Sequence, residues 1–127
     1  MNLVDSSAWL EYLADGPNAS FFAPAIEKTG ELLVPTIVFF EVYKRVRQQR
    51  GQRPALEAIS ALQHGRVIDL TVALAVAAAG ISHSEKLPIA DSIIIATARS
   101  ENAIIWTQDS DFEKLPQVKY RPKKVRA

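Results

Sequence analysis

The chain has 127 residues, enough for one domain to bury a core without disulfide or metal staples. Apolar residues make up 48% and charged ones 23%, which excludes intrinsic disorder, and the absence of cysteine removes disulfides, thiolate metal sites and cysteine nucleophiles together. The formal net charge is +1, from 15 Lys+Arg against 14 Asp+Glu, a value that ordinarily argues against a nucleic-acid partner.

Met1–Val4 reads as a short buried strand that hands over at Asp5-Ser6-Ser7 to a helix over Ala8–Leu13, with Ser6 or Ser7 as its cap. Asp15-Gly16-Pro17-Asn18 stops that helix, and Asn18 or Ser20 opens a second one through Lys28, closed by Gly30. Leu32-Leu33-Val34 is a second strand. Pro35-Thr36 begins a helix to about Arg50 with Gly51 at its end, and Pro54 suits the first turn of a helix over Ala55–Gln63. Val67–Leu70 reads as a strand, with Thr71 capping an alanine-rich helix to about Lys86. Pro88 starts a helix over Ile89–Ser100, Ala103–Thr107 is a fourth strand, and Val118-Lys119-Tyr120 a short fifth.

Short apolar strands alternating with helices, and joined by no hairpin turn, predict an α/β fold with a parallel sheet. The pattern does not give the strand order. No linker, repeat or low-complexity tract divides the chain, so residues 1–127 are expected to form one domain. The start, Met1-Asn2-Leu3-Val4-Asp5, lacks a basic segment and meets an acid too early for a signal peptide. The longest apolar run, Val72 to Ile81, is about half of the ~20 residues a membrane span needs. A soluble, cytoplasmic protein with no membrane partner is the expectation.

The small net charge conceals an uneven distribution. Five bases (Lys119, Arg121, Lys123, Lys124, Arg126) fall in the last nine residues with no acid among them, and Lys44, Arg45, Arg47, Arg50 and Arg53 crowd one ten-residue stretch. The acids of interest follow the strands, where open parallel sheets place their functional crevice. Asp5 follows the first strand. Glu41 stands on the helix after the second, Asp91 in the first turn of the Pro88 helix, and Asp109 and Asp111 just beyond Thr107. Glu41 and Asp91 sit among apolar neighbours, where a carboxylate is expensive unless paired or bound to a metal. Converging acids repel one another, and a divalent cation is the simple remedy. Each also has a structural reading: Asp5 as a helix cap, Glu41 paired with Arg45 at i+4, Asp91 favoured by the helix dipole, and Asp109 and Asp111 in an Asx-turn.

Four segments carry a resemblance: Val4-Asp5-Ser6-Ser7-Ala8-Trp9-Leu10, Pro35-Thr36 with Glu41-Val42, Ala90-Asp91-Ser92-Ile93-Ile94-Ile95-Ala96-Thr97-Ala98, and Trp106-Thr107-Gln108-Asp109-Ser110-Asp111-Phe112. In this order and spacing the chain resembles the PIN-domain ribonucleases, most closely the VapC toxins of toxin–antitoxin pairs. The resemblance implies a three-layer domain, a five-stranded, mostly parallel sheet between helices. It also implies an acidic pocket that binds Mg²⁺ or Mn²⁺ and cleaves single-stranded RNA, such as tRNA or mRNA, to leave 5′-phosphate and 3′-hydroxyl ends. Asp5, Glu41 and Asp91 match three of the family's acids. The fourth is Asp109, with Asp111 in reserve, since family members place an acid at either position. Ser6, Ser7 and Thr107 would be the hydroxyls that orient carboxylates or a metal-bound water. The family further implies a homodimer and silencing by a cognate VapB-like antitoxin.

Oxygen-only ligands suit Mg²⁺ or Mn²⁺, whereas His64 and His83 stand in no ligand-like motif and read as solvated residues. Lys44, Arg45 and Arg47 lie within two turns of Glu41 and are candidates for holding RNA phosphates, against the alternative of a solvated helix face. Residues 119–127 form a basic C-terminal tail that either does the same or frays. Trp9, Tyr12, Phe21 and Phe22 are read either as core or as an apolar groove for a partner. The main rival is a catalytically inactive PIN-like module that binds RNA or protein, against which the intact acid set argues. An Asp-nucleophile phosphatase would want an acid where Ser7 stands, and an acidic receiver would want more than the isolated Asp69. No glycine-rich loop is present to cradle a nucleotide phosphate.

Overall fold

The computed structural model describes residues 1–124. Arg126 of the basic tail lies outside the described residues. Five strands and six helices follow in order: β1 (Asn2–Val4), α1 (Ser6–Leu13), α2 (Ala19–Glu27), β2 (Leu32–Pro35), α3 (Thr36–Arg50), α4 (Gln52–Leu62), β3 (Arg66–Ile68), α5 (Val72–Glu85), α6 (Ile89–Ser100), β4 (Ile104–Thr107) and β5 (Val118–Tyr120). Short 3₁₀ turns occupy Thr29–Glu31 and Ser110–Phe112.

All strand pairs are parallel, and their order across the sheet is β3-β2-β1-β4-β5. The first three strands step one way and the last two step the other. Right-handed crossovers therefore place the helices of the two halves on opposite faces, giving three layers. The reversal falls between β1 and β4, with Leu3 opposite Ile105 and Val4 opposite Trp106. In such sheets the crevice beyond the carboxyl ends of the strands flanking the reversal is the natural ligand position.

The core explains why the central strands read as continuous apolar runs. Leu3, Val4, Leu33 and Val34 are wholly buried and pack with Val38 and Val42 of α3 and Ile94 and Ile95 of α6. Every residue from Ser92 to Ala98 is buried, so α6 is apolar on all sides. Its two buried hydroxyls are satisfied within the helix: Ser92 donates to the Pro88 carbonyl at 2.8 Å, and Thr97 to that of Ile93 at 2.8 Å. Trp9 and Phe22 are core residues, and Phe21 stacks between Phe22 and Trp106, so these rings do not form an open groove.

Several local expectations need correction. The cap of α1 is Asp5, whose carboxylate accepts from the Ala8 N–H at 3.0 Å, and the helix begins at Ser6 rather than Ala8. α4 begins at Gln52, because Gly51 at φ +92° turns the chain directly from one helix into the next. Gly30 lies inside a 3₁₀ turn and does not close α2. β3 ends at Ile68, since the Leu70 N–H turns away to the Thr36 hydroxyl at 3.3 Å. Residues 118–122 are docked rather than frayed: β5 pairs with β4, the Arg121 N–H donates to the Thr107 carbonyl at 3.1 Å, and the Pro122 carbonyl accepts from Asn18 at 2.9 Å. Among the described residues no helix is long and apolar enough to cross a membrane.

Candidate active site

Asp5 leaves the end of β1 at the reversal point and is only 4% exposed. Its carboxylate is held on both oxygens. Oδ1 accepts from the Ser7 hydroxyl at 2.7 Å and from the Ala8 N–H, while Oδ2 accepts from Thr107 at 2.5 Å. The Thr107 hydroxyl also accepts from the Asp109 N–H at 2.8 Å, and the Ser7 hydroxyl accepts from the Gln108 N–H at 3.1 Å. Two hydroxyls thus clip the ends of β1 and β4 together and fix the loop that carries Asp109. The Asp109 carboxylate in turn accepts from the Asp111 N–H at 2.9 Å, so the Asx-turn reading of this segment is correct as well.

Asp91, Asp109 and Asp111 each offer a carboxylate oxygen to one cluster, with the three atoms within 4.8 Å of one another. Asp91 and Asp109 are half-buried and Asp111 is exposed. Burial pushes the Asp91 carboxyl up to about 7, and the charges of Asp109, Asp111 and Asp5 push the same way, Asp111 also as a hydrogen-bond partner. Burial raises Asp5 to about 6. Hydrogen bonds from Thr107, Ser7 and the Ala8 N–H oppose that rise, and the charge of Asp109 adds to it. These acids are close enough to resist simultaneous ionisation, which is the electrostatic condition a divalent cation relieves.

Glu41 stands apart from the three clustered oxygens. It is half-buried on the second turn of α3, and the Ser6 hydroxyl donates to its carboxylate at 3.0 Å. No ion pair joins it to Arg45 among the described residues, so the i+4 pairing is not formed. Glu41 lines a recess of about 300 Å³ with Ser6, Phe40, Lys44 and Arg45. A neighbouring cavity of about 480 Å³ is lined by Ser6, Ser7, Arg45, Gln108, Asp109 and Lys123, among others. Arg45 therefore lies beside both Glu41 and Asp109, and Lys44 beside Glu41. Arg47 points elsewhere, donating to the Tyr43 hydroxyl at 2.8 Å, because a two-residue step along a helix moves a side chain to the far side. His64 and His83 are exposed, as the sequence suggests.

Sequence reasoning missed two members of this constellation. Gln108 is buried, and its side chain accepts from Asn18 at 2.6 Å. Asn18, 1% exposed, ties that loop to the Pro122 carbonyl, while its own N–H donates to Glu11 at 2.6 Å. An Asn after Gly-Pro looks like an ordinary turn residue, and no periodic signal links it to a loop 90 residues away.

A parallel α/β sheet with acids gathered at its topological switch point defines the class. Within it, the PIN domain family model matches residues 3–118, and the chain belongs to that family. A search of curated proteins gave no match. Among solved structures the chain is similar to a toxin–antitoxin complex from Klebsiella pneumoniae, with TM-score 0.78 and 21% identity over 98% of this chain and 100% of that one. It is also similar to Mycobacterium tuberculosis VapC20, described as a sarcin-ricin loop cleaving toxin, with TM-score 0.79 and 20% identity over 96% and 100% of the two chains. A third is VapBC2 from Rickettsia felis bound to a promoter DNA fragment, with TM-score 0.71 and 16% identity over 95% and 97%.

Proposed function

We propose that this protein is a Mg²⁺- or Mn²⁺-dependent endoribonuclease that cleaves single-stranded RNA and acts in the cytoplasm as the toxin of a VapBC-type pair. The observation that carries the reading is the convergence of Asp5, Asp91, Asp109 and Asp111, from three separate stretches of sequence, at the carboxyl ends of β1 and β4. An all-oxygen donor set fits a hard divalent cation. Asp91, Asp109 and Asp111 would hold it, with Asp5 and Glu41 completing the acidic wall. When bound, the ion supplies Lewis-acid stabilisation of a phosphodiester and a lowered pKa for an attacking water.

The chain's own residues do the positioning. Thr107 and Ser7 fix the Asp5 carboxylate and the Asp109 backbone relative to each other, so the acids need little rearrangement on binding. Ser6 orients Glu41, and Lys44 and Arg45 hold flanking phosphates beside the acids. Similarity to a toxin–antitoxin complex and to VapBC2 supports a VapB-like antitoxin as partner. A homodimer through α5 and α6 is supported by Val72, Val76 and Ile89, which are 82%, 67% and 77% exposed beside a largely apolar recess.

The test is incubation of the protein with single-stranded RNA in Mn²⁺ or in EDTA, comparing wild type with Asp5→Asn and Asp91→Asn. Cleavage by wild type alone, and only with metal, is expected. Cleavage that survives EDTA or both substitutions sinks the proposal. Binding of Mn²⁺ and RNA without any cleavage favours the catalytically inactive binding module instead.

A further inference from the structure

The C-terminal strand carries its bases in a pattern that the acidic pocket does not explain. Just beyond β5 the chain stays tied to the sheet and to the start of α2: the Arg121 N–H continues the ladder to the Thr107 carbonyl, and Asn18 holds the Pro122 carbonyl. Alternate residues of a strand share a face, and Lys119 and Arg121, the latter on the last ladder bond, do so here, with Lys123 two residues further on. Lys119 Nζ lies 4.8 Å from the centre of the Trp106 ring, and the Arg121 guanidinium lies 4.2 Å from that of Phe21. The two rings contact each other, with centroids 5.4 Å apart. Lys123 lines the same cavity as Asp109 and Arg45.

Three features make this row more than a solvated edge. No acid occurs from residue 118 to residue 124, and none of the three bases joins an ion pair among the described residues. Rings beneath Lys119 and Arg121 fix where the charges sit, reducing the entropy lost when an anion binds. No side-chain hydrogen bond occupies the Arg121 guanidinium among the described residues, and a guanidinium's N–H fork matches the geometry of a phosphate. Finally, the row ends at Lys123, in the cavity that Asp109 and Arg45 also line.

We infer that Lys119, Arg121 and Lys123 form a phosphate-binding arm that holds single-stranded nucleic acid on the β5 side of the pocket, so that the strand crosses the acids between this arm and α3. The inference rests on the ribonuclease reading for the identity of the strand. Its experiment separates the two. Binding of a short fluorescein-labelled, unstructured RNA is followed by anisotropy over a salt series in EDTA, and cleavage of the same RNA in Mn²⁺ is assayed in parallel.

For single strands each neutralised phosphate contributes about 0.7 to the slope of log K against log salt. The variant K119A/R121A/K123A is expected to lower that slope by about 2 and Lys123→Ala alone by about 0.7, whereas Lys28→Ala, at the end of α2, leaves it unchanged. Lys119 and Lys123 are exposed, so their single variants fold even if the Arg121 change disturbs its ring contact. An unchanged slope in an enzyme that still cuts RNA overturns the arm and leaves the nuclease standing. A wild type that neither binds nor cuts RNA overturns both. A slope that falls equally for Lys28→Ala shows only general charge attraction and also overturns the arm.

Discussion

The carboxyl ends of β1 and β4 and the outer face of α5 treat water in opposite ways. At the strand ends the chain buries Asp5, Thr107 and Gln108, polar groups that water would solvate well, and holds them with hydrogen bonds. Along α5 it leaves Val72 and Val76 in solvent, and only Ala78 of that helix is buried. Both arrangements are unfavourable in the isolated chain. A cation would relieve the first and an apolar surface the second. The difference is that the first region is fixed by a network of hydrogen bonds, whereas the second is an exposed apolar helix face with no such network.

The sharpest way to break this comparison is Asp91→Asn. It should reduce metal-dependent RNA cleavage by at least about a hundredfold. In metal-free protein the same change should raise the melting temperature, because it removes a half-buried charge facing Asp109 and Asp111. A fall in both quantities would show that Asp91 supports the fold rather than the chemistry. Thr107→Val comes next. It deletes the donor to a buried carboxylate and is expected to cost about 1–3 kcal/mol in urea unfolding. A negligible loss would mean that the hydroxyl clip is not what organises the site.

On the other region, Val76→Glu should weaken self-association by roughly tenfold or more in analytical ultracentrifugation, by placing like charges across a symmetric interface. Melting of the dilute monomer should barely change, since Val76 is exposed. The smallest effect is on pH. Asp5 and Asp91 titrate in the folded protein near 6 and 7, above the ordinary 3.8, so between those values the native state binds more protons than the unfolded one. Metal-free stability should therefore rise as pH falls from about 7.5 through 6. Mn²⁺ should stabilise most at the upper end, where its ligands are deprotonated. Thermal melts in EDTA and in Mn²⁺ check both signs.

Much of this was legible because local chemistry and global fold agree. Thr71 caps α5 by accepting from the Leu74 N–H, Gly51 ends α3 at positive φ, and the apolar run Ile93-Ile94-Ile95 lies in a helix buried all round. Strand order was not legible, because β1 is central on account of its partners and not of its own three residues. The acids were legible from their places after the strands, Glu41 and Asp91 also from apolar company, yet spacing favoured Asp109 and kept Asp111 only in reserve. The fold brings both to Asp91. Asn18 and Gln108 escaped notice because their significance is a contact between distant segments. Arg47 was grouped with Arg45 by proximity along the chain, whereas helical geometry separates them.

Asp5 serves twice, as the cap of α1 and as the buried acid of the pocket, and the consequence is evolutionary. On the proposed function a mutation at Asp91 would discard activity, and it relieves repulsion from Asp109 and Asp111, so the fold would not resist it. At Asp5 most replacements also uncap a helix, which typically costs about 1 kcal/mol, and leave the Thr107 and Ser7 hydroxyls without their acceptor. Asparagine, serine and threonine each keep a cap acceptor. On that function, a lineage under pressure to silence this protein would lose the acid on α6 first, and its inactive descendants would still carry a capping residue at the end of β1.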